Sequence, residues 1–125
     1  MFTNIVKMSF SAAHMIEGHL GKCANLHGHN WDVEIHICSQ ELDSLGMAID
    51  FAEIKAIVSP VVDELDHVYL NDLEYFKIHP PTAECVVRYI YESCKDSFVQ
   101  KGVILKEVVI WETNGCGVKY SKGIN

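Results

Sequence analysis

Residues 31–38 alternate without a slip: Trp31, Val33, Ile35 and Ile37 fall on one side, Asp32, Glu34, His36 and Cys38 on the other. A period of two is that of a β-strand, and two chemically different sides require one buried face and one solvated face. That pattern belongs to an antiparallel sheet covered on one side, so the rest of the chain must supply the cover. Residues 2–13 read as a partner strand, with bulk from Ile5, Val6, Met8 and Phe10. Residues 14–29 are rich in Gly, His and Asn and lack periodicity, which predicts a loop or irregular strand ends.

Two helical stretches follow. Asp50 is a natural N-cap for the first, whose stripe is Phe51, Ile54, Val58, Val61 and Leu65. Pro60 lies inside it and should kink or interrupt the helix, because proline lacks the backbone donor. "HPPTAE" opens the second helix, with Val87, Tyr91, Cys94 and Phe98 along one side. Strands at 105–112 and 116–121 close the chain. The order β-β-α-α-β-β predicts an α+β domain, an antiparallel β-sheet with two helices on one face. Val108, Val109, Ile110 and Trp111 are apolar in succession, as in a strand covered on both faces. Two helices cannot cover a sheet twice, so a homo-oligomer is expected.

A chain of 125 residues suits a single domain spanning 1–125. No run approaches a membrane span and "MFTNIVKMSF" has no secretory pattern, so a cytoplasmic protein is expected, with no membrane partner. The net charge of −7, with 10 Lys and Arg in no cluster, argues against nucleic acid. Five cysteines without a C-x-x-C pair do not suggest a disulfide framework.

The chemistry concentrates in "CANLHGHNW", residues 23–31. His27 and His29 are two apart, so in an extended segment both imidazoles face the same way. His14, at the end of the first strand, is a third candidate metal ligand, and His19 is an alternative to it. Three imidazoles leave the fourth tetrahedral position of Zn²⁺ open, the arrangement of a catalytic site. His14 also has a plainer reading as a satisfied core histidine. Cys23 reads as a fourth ligand, as a thiolate base or nucleophile beside the metal, or as an inert thiol. Asp66 and His67 form a carboxylate–imidazole pair suited to proton transfer, although the dipeptide is common on surfaces. Glu112 ends the apolar run "VVIWE" and is either exposed there or matched to a ligand with adjacent N–H donors.

Taken together, "FSAAH", "CANLHGHNW", "GMAIDFAEIK", "LDHVYLND", "PPTAE" and "WET" resemble, in order, the 6-pyruvoyl-tetrahydropterin synthase superfamily. The resemblance implies the tunnelling fold (T-fold), an oligomeric barrel that is commonly a hexamer, a dimer of trimers. It implies a lyase that binds Zn²⁺ through His14, His27 and His29, with Cys23 as the catalytic thiol and Asp66 and His67 completing the proton-transfer set. It makes Glu112 the anchor of the pterin edge. Thr82 and Glu84 match a segment lining the pterin pocket, though Thr82 is equally suited to capping a helix.

The three-residue spacer between Cys23 and His27 resembles 6-carboxytetrahydropterin synthases of queuosine biosynthesis. The implied substrate is a pterin triphosphate, 7,8-dihydroneopterin triphosphate. It would be converted to 6-carboxy-5,6,7,8-tetrahydropterin, acetaldehyde and triphosphate. Alternatives are a 6-pyruvoyl-tetrahydropterin synthase, which eliminates triphosphate only, and a non-catalytic zinc-binding module. A triphosphate needs a local basic mouth, for which Lys22, Lys55 and Arg88 of neighbouring subunits are unassigned candidates.

Overall fold

The alternation at residues 31–38 extends in both directions into a thirteen-residue strand, and its paired strand is equally long. The computed structural model describes residues 1–122, apart from the side chain of Cys23. β1 (Phe2–His14) and β2 (His27–Ser39) form an antiparallel ladder in which Val6 faces Ile35 and Phe10 faces Trp31. β4 (Ile104–Thr113) lies on the other side of β2, and β5 (Cys116–Tyr120) closes that edge.

Helices α1 (Phe51–Leu65) and α3 (Ala83–Gln100) both pack on one face of this sheet, as expected. Asp50 caps α1, accepting the Ala52 N–H at 2.9 Å, and Thr82 caps α3, accepting that of Cys85 at 3.2 Å. The core between the layers holds Val6, Phe10, Trp31, Val33, Ile35 and Ile37 against the buried sides of both helices.

Four details depart from the sequence expectation. The sheet is mixed rather than purely antiparallel, because a two-residue strand, β3 (Val68–Tyr69), pairs parallel with Ala12 and Ala13 of β1. A short helix, α2 (Glu74–Ile78), precedes α3. Pro60 does not interrupt α1, which runs unbroken from Phe51 to Leu65. Pro60 and Ala56, whose carbonyl it leaves without a donor, are both on the exposed side, where water can serve that oxygen. The buried stripe of α1 is Ile54, Val58, Val62 and Leu65, while Phe51 is exposed at the helix start.

The opposite face of the sheet is polar and is not covered by any of the described residues. Trp111 donates its indole N–H to Glu34 at 2.8 Å, and His36 lies between Glu34 (3.0 Å) and Glu107 (2.9 Å). Val109 and Trp111 are thus only half-buried, which explains the run of apolar residues in β4 without a second layer of helices. Among the described residues, no helix is long and apolar enough to cross a membrane.

Candidate active site

The β1–β2 register sets His14 opposite His27 and Ala12 opposite His29, so the three imidazoles emerge together on the helix-covered face. Their ring centroids are 4.4–5.2 Å apart, above the fully buried Trp31. Trp31 meets His14 and His29 edge-on and seals the floor of the cluster.

Backbone carbonyls orient two of the rings. Pro81 O accepts from His14 Nδ1 at 2.7 Å, and Asn25 O accepts from His27 Nδ1 at the same distance. A carbonyl can only accept, so both protons sit on Nδ1 and both Nε2 lone pairs are free. Burial lowers the His14 pKa, against the Pro81 bond and together with its histidine neighbours, and keeps the ring neutral.

The fourth member of the cluster is Glu112. Its Oε1 lies 2.7 Å from His29 Nε2 and 3.5 Å from His14 Nε2, and the four candidate donor atoms fall within 4.8 Å of one another. Nε2 of His14 and of His29 are buried yet make no aligned hydrogen bond among the described residues. Glu112 is close enough to His29 for one but lacks its directionality. Buried polar atoms without partners are costly, and convergence on a shared cation resolves that cost. The set therefore fits a metal ion: three imidazoles with a carboxylate beside them, groups that suit zinc among divalent ions.

Glu112 is accordingly not a free strand end; its side chain is only 25% exposed. The β4–β5 ladder slips by one residue between Trp111 and Thr113, and Glu112 is the extra residue there. Such a bulge re-aims a side chain, and here it turns the carboxylate to the histidines. His19 is exposed, accepts the Gly21 N–H at 2.9 Å and stands outside the cluster.

Asp66 and His67 follow α1 directly. Asp66 Oδ1 accepts the Ser11 N–H at 2.9 Å and lies 3.0 Å from His67 Nδ1. The Ser11 bond, aided by His67, holds the Asp66 carboxyl below the usual carboxylate range. His67 is the one non-glycine residue with positive φ (57°) among the described residues, and its N–H meets Ser11 O at 2.6 Å. A histidine in that conformation is strained, and such strain concentrates at functional positions. Ser11, Gly28, His29, Asn30, His67 and Tyr69 line one cleft of ≈ 460 Å³, so His67 shares an opening with a member of the cluster. A larger hollow, ≈ 510 Å³ around Lys7, Glu34 and Trp111, lies on the polar face of the sheet, away from the cluster.

The remaining candidates are placed less directly. Thr82 is committed to capping α3, one residue after the carbonyl that holds His14. Glu84 is exposed in the first turn of α3. The backbone of Cys23 lies in the 3₁₀ turn Lys22–Ala24, and the thiol on which its role depends is outside the described residues. Lys22, Lys55 and Arg88 do not line the cleft of their own chain, which leaves their expected contribution to come from a neighbouring subunit, and Arg88 contacts Cys85 Sγ at 3.7 Å. Sequence patterns did not single out Pro81, Asn25 or Ser11, because each acts through its backbone and any residue type can do so.

Residues 4–123 match the family model described as 6-pyruvoyl tetrahydropterin synthase. The chain belongs to that family. It is therefore an enzyme, a lyase of the 6-pyruvoyl tetrahydropterin synthase family with the tunnelling fold. It is 34% identical to the 6-carboxy-5,6,7,8-tetrahydropterin synthase of Synechocystis sp., over 91% of this chain and 88% of that one. The enzyme of the same name from Haemophilus influenzae is 31% identical over 90% and 94% of the two chains. Among solved structures, the 6-pyruvoyl tetrahydropterin synthase of Caenorhabditis elegans superposes with a TM-score of 0.88 at 32% identity, covering 98% of this chain and 96% of that one.

Proposed function

We propose that this single-domain enzyme, spanning residues 1–125, converts 7,8-dihydroneopterin triphosphate to 6-carboxy-5,6,7,8-tetrahydropterin, acetaldehyde and triphosphate in the cytoplasm, for queuosine biosynthesis. The observation that carries this reading is the convergence of His14, His27, His29 and Glu112, with two buried Nε2 atoms that have no partner among the described residues. His14, His27 and His29 would hold Zn²⁺, which when bound supplies Lewis acidity to the hydroxyls of the substrate side chain. The names of the 31–34% identical relatives and the Cys23–His27 spacer support the carboxy product.

Each residue has a distinct task. Pro81 and Asn25 carbonyls keep the Nδ1 protons in place and aim the Nε2 lone pairs of His14 and His27 inward. Cys23, as thiolate, accepts a proton from the substrate side chain. His67, oriented by Asp66, exchanges the other proton at the open side of the cleft. Glu112 accepts adjacent N–H donors of the pterin edge, with Thr82 and Glu84 bordering the same pocket, and so would orient the substrate side chain toward the histidine cluster.

Assembly into a hexamer of two trimers completes this reading. β3 pairs only with Ala12 and Ala13, which leaves most of that side of β1 open, and β5 is the opposite open edge. Phe2 and Ile5 on β1 are each 48% exposed. Open apolar edges of this kind call for partner strands. Mass measurement in solution tests the assembly.

The second reading, a 6-pyruvoyl-tetrahydropterin synthase, is favoured by the likeness to the C. elegans enzyme. Incubation with dihydroneopterin triphosphate separates the two: acetaldehyde release supports the carboxy product, and a pyruvoyl product without acetaldehyde overturns it.

A further inference from the structure

We infer that Asn71 is a positioning residue that fixes the metal ligand His14 relative to the Asp66–His67 pair, an inference that rests on the metal-site reading above. Asn71 sits in the 3₁₀ turn Leu70–Asp72. Its Oδ1 accepts the Met15 N–H at 3.0 Å, and its Nδ2 donates to Met15 O at 2.9 Å. A carboxamide offers one acceptor and one donor side by side, as a peptide group does. The two bonds thus imitate one rung of a strand ladder.

The position of that rung gives it meaning. Segment 66–71 is tied to β1 residue by residue: Asp66 and His67 to Ser11, Val68 and Tyr69 to Ala12 and Ala13, then Asn71 to Met15. The backbone of the segment turns away after Tyr69 into the 3₁₀ turn, so backbone pairing stops one residue short of His14. Asn71 resumes it just beyond, and His14 is bracketed between two anchored neighbours. Pro81 O then needs only to set the ring.

The same strap carries His67 at its other end, in a strained conformation held by the Ser11 bond of 2.6 Å. Anchors at both ends keep this strain from relaxing by displacement of the segment. Residues that orient metal ligands without touching the metal typically change affinity by about 10–100-fold when removed. Asn71 acts on His14 through the backbone, and on His67 through the strap.

The test compares Asn71→Ala and Asn71→Asp with Asp50→Ala, which removes the cap of α1 remote from the site and serves as a stability control. Zinc dissociation constants come from chelator competition, geometry from the visible spectrum of the Co²⁺-substituted protein, and turnover from acetaldehyde release. The expected result is zinc binding about 10-fold or more weaker in Asn71→Ala, an altered Co²⁺ spectrum, and a fall in kcat larger than any change in KM. Asn71→Asp keeps the acceptor for Met15 N–H and should lose less affinity than Asn71→Ala. Asp50→Ala should lower thermal stability while keeping wild-type zinc affinity.

Wild-type zinc affinity and Co²⁺ spectrum in Asn71→Ala would overturn the inference, leaving Asn71 a purely structural residue. If Asn71→Ala does not fold, the same comparison on Asn71→Asp decides. A wild-type protein that binds zinc but releases no acetaldehyde overturns the carboxy-product reading alone, and the affinity and spectrum still judge Asn71. A wild-type protein that binds no divalent metal overturns both.

Discussion

Glu112 Oε1 stands 2.7 Å from His29 Nε2, brought there by a slip of one residue in the β4–β5 ladder. One carboxylate thus borders both the cluster of imidazoles and the space proposed for the pterin edge. Glu112→Gln keeps the volume but removes the charge. Zinc affinity should fall by about an order of magnitude. The KM for the pterin should rise as well, because an amide cannot accept two N–H donors as a carboxylate does. Chelator competition and steady-state kinetics measure the two effects separately; a change in KM alone would remove Glu112 from the metal's surroundings.

Cys23→Ala should retain zinc and lose acetaldehyde release by at least about 100-fold, the usual scale of a lost general base. Metal content and product identification on the same preparation check this. Loss of zinc from the variant would instead make Cys23 a ligand.

His67→Asn should abolish turnover without lowering stability. The φ of 57° is strained for histidine and better tolerated by asparagine. A melting temperature equal to or above wild type, by up to about 1 kcal/mol of stability, is the expected outcome. A clear decrease would mean that His67 is retained for packing.

Metal removal should destabilise the fold. Zinc at a hundred times its dissociation constant adds about 2.7 kcal/mol, or roughly 10 °C in melting temperature for a domain of this size. Melting curves with zinc and after chelation, on protein whose oligomeric mass is unchanged, measure the difference.

The polar face should govern acid stability. Hydrogen bonds from His36 and then Trp111 hold the Glu34 carboxyl below its ordinary value of 4.5. Below 4.5 the unfolded chain takes up a proton that the folded chain refuses, so this contribution declines as pH falls and is lost through the depressed folded value. Glu34→Gln should flatten the acid limb of the stability curve. Trp111 fluorescence reports the event directly, because its indole N–H bonds to Glu34 at 2.8 Å.

Much of this protein was legible in its sequence because local physics governs it. The alternation of Trp31, Val33, Ile35 and Ile37 fixed a strand face, and all four are buried. Asp50 and Thr82 cap helices where their side chains precede apolar stripes. The H-x-H spacing placed His27 and His29 on one side of a strand, since side chains two apart in an extended chain must share a face.

What the sequence left open depended on register and on backbone groups. His14 over His19 followed from the β1–β2 ladder, and Glu112 joined the histidines only through a bulge that strand periodicity does not announce. Pro60 was tolerated because its side of α1 faces solvent, a fact of packing rather than of propensity. Pro81, Asn25 and Ser11 serve through main-chain atoms that every residue carries, and Asn71 bonds across 56 positions of sequence. Local spacing determines which way a side chain points; only the tertiary structure determines which carbonyl, amide or carboxylate it meets.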